Sequence, residues 1–148
     1  MNILFVCTGN TCRSPMAEAL FKKLLDGSEG IAVSSAGIAV HPAPMSQNAL
    51  RVLREYGIDG SMHRARQITQ QDIITNDLII TMTKSHKSGI LNIAPNARVH
   101  TLKEICGEKG DIKDPYGGTL LSYKNCAKEI NGLLIELLKR LQTGDDIK

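Results

Sequence analysis

The sequence is poor in several features that would assign it to a specialised class of protein. It contains no Trp, and aromatic residues make up only 3% of its 148 residues, which argues against the stacking surfaces that bind single-stranded nucleic acid. No apolar run approaches the ~18 residues that a membrane-spanning helix needs. The apolar residues 3–6 follow no basic stretch, so they do not resemble a signal peptide. We therefore expect neither nucleic-acid nor membrane partners.

Cysteine is also scarce. Cys7, Cys12, Cys106 and Cys126 are few for this length and accompany no secretion signal, so a disulfide framework is not expected and the cytoplasm is the expected compartment. No set of Cys and His residues shows the paired spacing of zinc ligands, so we expect no metal.

Charge and length point to an ordinary globular protein. Lys and Arg number 18 against 15 Asp and Glu, a net charge of +3 that falls far short of a protein held to nucleic acid by counterion release. Hydrophobic residues are 42% and charged residues 22% of the chain, which is typical of folded domains. The length predicts one domain over residues 1–148.

Short apolar runs alternate with segments of helical period. Strands are predicted at residues 2–6, 31–36, 77–83 and 98–102, and helices at 15–26, 46–56, 122–141 and just after Thr69. Ser14 before Pro15 predicts a helix N-cap, and Thr69 with Asp72 predicts a capping box. The alternation predicts an α/β fold, a four-stranded parallel sheet flanked by helices on both faces, with its ligand site at the carboxyl ends of the strands.

The loop after the first strand has the residue types of a phosphate-binding loop. It reads Cys-Thr-Gly-Asn-Thr-Cys-Arg-Ser over residues 7–14. Gly9 and Asn10 tolerate the left-handed backbone of an anion-binding nest, and the following helix contributes its positive end. Arg13 can offer two donors to a phosphate. Cys7 is expected as a thiolate nucleophile, with Ser14 donating to its sulfur. A Walker A loop is excluded, because Gly-Lys-Ser/Thr is missing.

Together with an Asp-Pro pair late in the chain, this loop resembles the signature of the low-molecular-weight protein tyrosine phosphatases. The signature is Cys-x5-Arg-Ser/Thr followed by an Asp-Pro acid loop, here Cys7, Arg13, Ser14 and Asp114-Pro115-Tyr116. Further similarity lies in Asn10, Pro15-Met16-Ala17-Glu18, Ser35-Ala36-Gly37 and His63-x-Ala65-Arg66-Gln67. The resemblance spans essentially the whole chain and implies a four-stranded parallel sheet, with neither metal nor cofactor.

The resemblance implies a mechanism on phosphorylated proteins. Cys7 would attack phosphorus to give a phosphocysteine, and water would then release inorganic phosphate. Arg13 and the loop amides would hold the phosphoryl oxygens, and Asp114 would protonate the leaving group and activate the water. The loop residues expected around the phosphate are Thr8, Gly9, Asn10, Thr11, Cys12 and Ser14. His63 would support the loop from behind, whereas His41, His86 and His100 are expected at the surface or in packing, and Lys84 and Lys87 on a solvated helix face.

Cys12 has two possible roles. It is either a packing residue or a redox partner that forms a disulfide with Cys7 and so intercepts a sulfenic acid. Cys126 is expected in the core, and Cys106 has no predicted partner.

The substrate side chain is predicted to be phosphoarginine. Thr11 stands where tyrosine phosphatases of the family usually carry Ile or Leu, and its hydroxyl can hydrogen-bond a guanidinium, which Asp114 could also hold. The pair Gly117-Gly118, the segment 82–87 and the absence of an aromatic wall in residues 38–44 also favour the arginine subgroup. The segment 63–67 is closer to the tyrosine type, so protein tyrosine phosphatase is the alternative. Tyr116 could stack on either group.

Two other classes share parts of this pattern. Arsenate reductases need two further redox cysteines after the third strand, and residues 78–92 contain none. A non-catalytic phosphate-binding module would be expected to lack the nucleophile, the arginine or the acid. Cys7, Arg13 and Asp114 are all present.

Overall fold

The computed structural model describes residues 1–28 and 30–144, in which strands and helices alternate along the chain. The elements are β1 Asn2–Cys7, α1 Arg13–Leu25, β2 Ala32–Gly37, α2 Gln47–Glu55, α3 Gln70–Thr75, β3 Leu78–Thr81, α4 Lys84–Ile93, β4 Val99–Thr101, α5 Leu102–Ile105 and α6 Leu120–Thr143. The four strands form one parallel sheet in the order β2-β1-β3-β4. In the described ranges, no helix is long and apolar enough to cross a bilayer.

Helices cover both faces of the sheet, as the sequence predicts. The side chains of β1 alternate between two hydrophobic clusters: Ile3, Phe5 and Cys7 belong to one, Leu4 and Val6 to the other. Helices α1, α2, α5 and α6 pack on the first face, and α3 and α4 on the second. A strand that is buried on both faces needs apolar residues at successive positions, and β1 has them.

The predicted helix boundaries are partly right. The capping box of Thr69 and Asp72 is confirmed at the start of α3, and Gly144 ends α6 in a left-handed conformation, with a φ of 71°. Helix α6 begins at Leu120, two residues before the predicted start, because the Thr119 side chain accepts a hydrogen bond from the backbone N–H of Ser122. The helix face expected at Lys84 and Lys87 is part of α4, whose bounds the sequence did not predict, and no helix was predicted where α5 forms.

The predicted N-cap of α1 is wrong. Helix α1 begins at Arg13, so that Cys12 is the cap residue and Ser14 lies inside the first turn. The Ser14 hydroxyl is engaged by Cys7 and Asn10 instead of by the helix backbone. Within the described chain no side chain caps the first turn of α1, which leaves its N–H groups available to an anion.

Gly37 fixes the distance between the end of β2 and the loop that follows β1. A Cβ at this position would lie 2.6 Å from the carbonyl oxygen of Thr8 and 2.5 Å from Cγ2 of Val40. The backbone N–H groups of Ile38 and Ala39 donate to the carbonyls of Cys7 and Thr8, each at 3.0 Å. The first residues of the loop are therefore held by main-chain contacts that only a glycine at residue 37 permits.

Candidate active site

The predicted loop and the predicted acid segment meet at the carboxyl end of the sheet. They enclose a pocket of about 230 Å³ lined by Cys7, Thr8, Gly9, Thr11, Cys12, Arg13, Asp114 and Tyr116. Residues 7–13 reach it from the end of β1, and residues 114 and 116 from the segment before α6. About a hundred residues of sequence separate these two walls, and the fold brings them together.

Cys7 is the last residue of β1, and only 3% of it is exposed. Its Sγ lies 2.9 Å from the hydroxyl oxygen of Ser14, the contact that the sequence analysis expected. Asn10 Nδ2 donates to that oxygen at 2.8 Å, so the hydroxyl hydrogen of Ser14 points elsewhere. Its two acceptors are the Cys7 sulfur at 2.9 Å and the Ala36 carbonyl oxygen at 3.4 Å, of which the sulfur is the nearer. A hydrogen bond to the sulfur stabilises its anionic form, which is the nucleophile.

Asn10 holds the turn of the loop. It is fully buried and has a φ of 56°, a left-handed conformation that few side chains other than Asn adopt. Its side chain also donates to Ser35 Oγ at 3.0 Å and accepts from the Arg66 backbone N–H at 3.0 Å. His63 Nε2 lies 2.7 Å from its carbonyl oxygen. Gly9 also tolerates a left-handed backbone but does not adopt it, so within residues 7–14 the left-handed turn lies at Asn10.

Arg13 is a buried cation at the base of the pocket. Only 4% of it is exposed, and its Nη1 donates to the carbonyl of Ile112 at 2.9 Å. Its Nη2 lies 3.5 Å from Oδ2 of Asp114. Nη1 of the guanidinium is therefore anchored to the backbone, and Nη2 lies near Asp114 in the pocket wall. This arrangement is suited to binding an anion that enters the pocket.

Asp114 and Tyr116 form the outer wall of the pocket. About half of the Asp114 side chain is exposed, and its Oδ1 accepts a hydrogen bond from the Tyr116 backbone N–H at 3.0 Å. Tyr116 is 76% exposed. Gly117 has a φ of 76°, and a Cβ on Gly118 would lie 2.9 Å from the Pro115 carbonyl. The double glycine therefore makes the tight turn that returns the chain to α6.

Thr11 and Cys12 line the inner side of the pocket, and Thr11 is partly exposed there. The Cys12 thiol lies 3.3 Å from Ser46 Oγ and 3.4 Å from the hydroxyl of Tyr123. All four cysteines are buried free thiols. Within the described residues no three His, Cys, Asp or Glu side chains converge in a way that could hold a metal ion.

His86 is a site residue that the sequence analysis missed. It was expected at the surface or in packing, with no further role. Its burial, 93% on α4, agrees with packing, whereas the 2.8 Å contact of its Nε2 with Thr8 Oγ1 in the loop was not expected. Lys87, expected on a solvated face, instead pairs with Glu104 at 2.5 Å. The reason lies in the sheet, where β3 pairs with β1, so that the residues after β3 emerge beside Cys7; the sequence alone does not give this pairing.

Burial lowers the pKa of His86 to about 4, with a further contribution from the positive charge of Arg13, opposed by Asp111 and Asp114. The unfolded chain binds a proton on this imidazole near pH 6.5, whereas the folded protein binds it only near pH 4. Protonation therefore leaves the free energy of unfolding unchanged above pH 6.5 and lowers it as the pH falls towards 4. The shift corresponds to about 3 kcal/mol.

We expect the His86→Gln variant to lose less unfolding free energy than the parent protein between pH 7 and 4, measured by urea denaturation. A constant difference between the two proteins across this range would contradict the prediction.

Comparison with known proteins identifies the family of this chain. The sequence model described as "Low molecular weight phosphotyrosine protein phosphatase" matches residues 2–146. The chain belongs to this family. A protein-arginine-phosphatase of Geobacillus stearothermophilus is 42% identical over 146 residues, covering 95% of this chain and 96% of the relative.

Two further relatives represent the two substrate types, phosphotyrosine and phosphoarginine. The low-molecular-weight protein-tyrosine-phosphatase PtpB of Staphylococcus haemolyticus is 37% identical over 146 residues, with 97% of this chain and 99% of the relative covered. The solved structure of the YwlE arginine phosphatase, as a mutant with a phosphorylated active-site serine, has a TM-score of 0.92 and 37% identity, with each chain covered completely. The predicted family, fold and cysteine-dependent phosphatase class are thereby confirmed. Relatives of both substrate types match this low-molecular-weight phosphatase along nearly their whole length.

Proposed function

We propose that this protein hydrolyses phosphoarginine in phosphorylated proteins through a phosphocysteine intermediate and releases inorganic phosphate. The observation that carries the choice of substrate is Thr11, which lines the same pocket as Asp114. A hydroxyl oxygen and the carbonyl oxygen of a carboxyl group can both accept hydrogen bonds from a guanidinium, which has several N–H donors and no acceptor. An aliphatic residue at this position would leave those donors unpaired.

The first chemical step follows from the placement of the nucleophile. Cys7 Sγ attacks phosphorus, the S–P bond forms, and the P–N bond to the leaving guanidine breaks in line. Arg13 and the uncapped N–H groups of α1 hold the equatorial oxygens, on which negative charge is spread in the transition state. The phosphorylated active-site serine in the mutant relative supports an enzyme-bound phosphoryl group at the matching position.

Asp114 supplies the proton chemistry in this proposal. Its carboxyl group protonates the leaving nitrogen and then, as a carboxylate, takes a proton from the water that attacks the phosphocysteine. The S–P bond breaks, and inorganic phosphate leaves. Support comes from its place on the outer wall of the pocket, where about half of the side chain is open to solvent and the Tyr116 N–H fixes one oxygen.

The remaining residues support the loop. Asn10, Ser14 and His63 hold its shape through the contacts around the buried turn, and Thr8, Gly9 and Cys12 complete the phosphate pocket. The proposal includes one domain over residues 1–148, consistent with a family match over residues 2–146, and the cytoplasm as its place of action. It requires no metal and no cofactor.

A redox role for Cys12 is part of the same proposal. A peroxide would oxidise the Cys7 thiolate to a sulfenic acid and be reduced to water or an alcohol. The Cys12 sulfur would then attack the sulfenic sulfur, so that the S–S bond forms, the S–O bond breaks and water leaves. The Cys12 thiol now contacts Ser46 and Tyr123, so disulfide formation would require its side chain to turn away from both.

The test is a comparison of kcat/KM on a phosphoarginine peptide and a phosphotyrosine peptide of the same sequence, with Cys7→Ser as the blank. We expect a clear preference for phosphoarginine. A preference for phosphotyrosine would instead establish the second candidate, a protein tyrosine phosphatase, which the match to the staphylococcal PtpB and the exposed ring of Tyr116 favour.

Thr11→Ile is expected to shift the ratio of the two kcat/KM values towards phosphotyrosine by about tenfold or more, the size of a lost hydrogen bond to a charged group. The isoleucine side chain removes the hydroxyl and presents an apolar surface that suits a phenyl ring. Thr11→Ser, which keeps the hydroxyl, is the matched control and should retain the preference of the parent protein. An unchanged ratio in Thr11→Ile would reject Thr11 as the residue that selects the substrate.

A further inference from the structure

The hydrogen bond between Thr8 and His86 joins the phosphate pocket to a buried group on a different element. Thr8 lines the pocket beside Cys7 and is exposed there, and its Oγ1 lies 2.8 Å from His86 Nε2. His86 lies in the first turn of α4, where its own backbone N–H donates to Thr83 Oγ1. The ring is therefore fixed by its helix and by burial, and its Nε2 forms the hydrogen bond to the loop.

The other ring nitrogen determines which way this hydrogen bond runs. His86 Nδ1 is buried and has no hydrogen-bond partner among the described residues. A buried N–H without an acceptor is rare in folded proteins because it loses its hydration without compensation. A neutral imidazole carries one proton, so that proton belongs on Nε2, which then donates to Thr8 Oγ1.

This direction leaves the hydroxyl hydrogen of Thr8 unused. Thr8 Oγ1 is hydrogen-bonded to His86, and Thr8 lines the same pocket as Arg13. An oxygen that accepts from the imidazole can donate its own hydrogen only in another direction, and the pocket offers one. With the reverse direction, Thr8 would present only lone pairs to a negatively charged phosphoryl group.

We propose that the Thr8 hydroxyl donates a hydrogen bond to the phosphoryl group of the substrate, and that His86 is the positioning residue that directs it there. The proposal rests on the proposed phosphatase function but not on the identity of the phosphorylated residue. Thr8 would add a side-chain donor to the donors of Arg13 and the loop backbone. His86 touches no reacting atom and acts through Thr8 alone.

A double-mutant cycle with an aryl phosphate substrate tests this proposal. We expect Thr8→Val, which keeps the side-chain shape, to lower kcat/KM about tenfold and to weaken inhibition by inorganic phosphate by a similar factor, as for a lost hydrogen bond to a charged group. His86→Phe should produce a similar loss in the parent protein and none in the Thr8→Val background. His86→Gln, whose amide can donate to Thr8, should recover most of the activity.

Thr75→Val is the matched control, because this threonine is exposed on α3 and its hydroxyl bonds only the local backbone, at Gln71. Histidine 15N NMR of the whole protein reads the tautomer directly, and we expect a protonated Nε2 and an unprotonated Nδ1.

The proposal is overturned if the kcat/KM of Thr8→Val stays within about twofold of that of the parent protein. It is also overturned if His86→Phe costs as much without the Thr8 hydroxyl as with it, or if the proton lies on Nδ1. An aryl phosphate reports these effects whichever peptide is preferred, so failure of the substrate assignment would show separately.

Discussion

Cys7→Ser is expected to lower the rate of phosphate release by roughly 10⁴-fold or more on every substrate, the scale on which loss of a nucleophile acts. The serine hydroxyl fits the site but is far less nucleophilic at neutral pH than a thiolate. Because Ser14 and the loop backbone stay in place, inorganic phosphate should still bind. The measurement is steady-state release of phosphate, with phosphate binding followed by calorimetry.

The matched control for this variant is Cys106→Ser. Cys106 is also a buried thiol, but its Sγ donates to the carbonyl of Leu133, and burial raises its pKa to about 11, so it stays protonated at neutral pH. A serine there can make the same hydrogen bond, and activity should be unchanged. If Cys7→Ser kept a substantial rate while Cys106→Ser lost it, the assignment of the nucleophile would be wrong.

Arg13→Lys is expected to lower kcat/KM by about 10²–10³-fold although the positive charge is kept. The guanidinium spans two directions at once, with one nitrogen on the Ile112 carbonyl and the other 3.5 Å from Asp114. An ammonium group is a point charge and cannot hold the carbonyl and two phosphoryl oxygens together. Inhibition by inorganic phosphate should weaken in parallel, since the loss concerns the phosphoryl group.

Arg140→Lys is the control for this second substitution. Arg140 makes the same kinds of contact elsewhere, with a donor to the Cys106 carbonyl at 3.2 Å and an ion pair to Glu136 at 3.0 Å. Its substitution should change stability slightly and activity not at all. Equal losses of activity in the two variants would indicate a general effect of removing an arginine from a carbonyl, and not a role in catalysis.

Local patterns predicted the site better than they predicted the helix ends. The spacing Cys-x5-Arg at a strand–helix junction, and the conformational tolerance of Asn10, are properties of a few adjacent residues, so the loop could be placed without tertiary contacts. The N-cap was misassigned because Ser14 looks like a cap locally, whereas its hydroxyl is engaged by Cys7 and Asn10. Only the folded loop reveals that competition.

The contribution of His86 could not be read from its own segment. Nothing in the residues around α4 says that its ring will be buried against Thr8, 78 positions earlier in the chain. That contact depends on strand order: β3 lies directly beside β1 in the sheet, so their carboxyl ends are neighbours. A lone histidine after a short strand is ambiguous until the pairing of the strands is known.

The bond from Arg13 to the Ile112 carbonyl has a consequence for how the enzyme is made. The two residues are 99 positions apart, so the loop that leaves the ribosome first lacks the anchor of the Arg13 guanidinium until residue 112 has also emerged. At ~5–20 residues per second, that delay is on the order of 5–20 seconds. Nascent chains that stop short of this residue should carry the complete Cys-x5-Arg sequence without catalytic activity, because they also lack Asp114, the acid of the proposed mechanism.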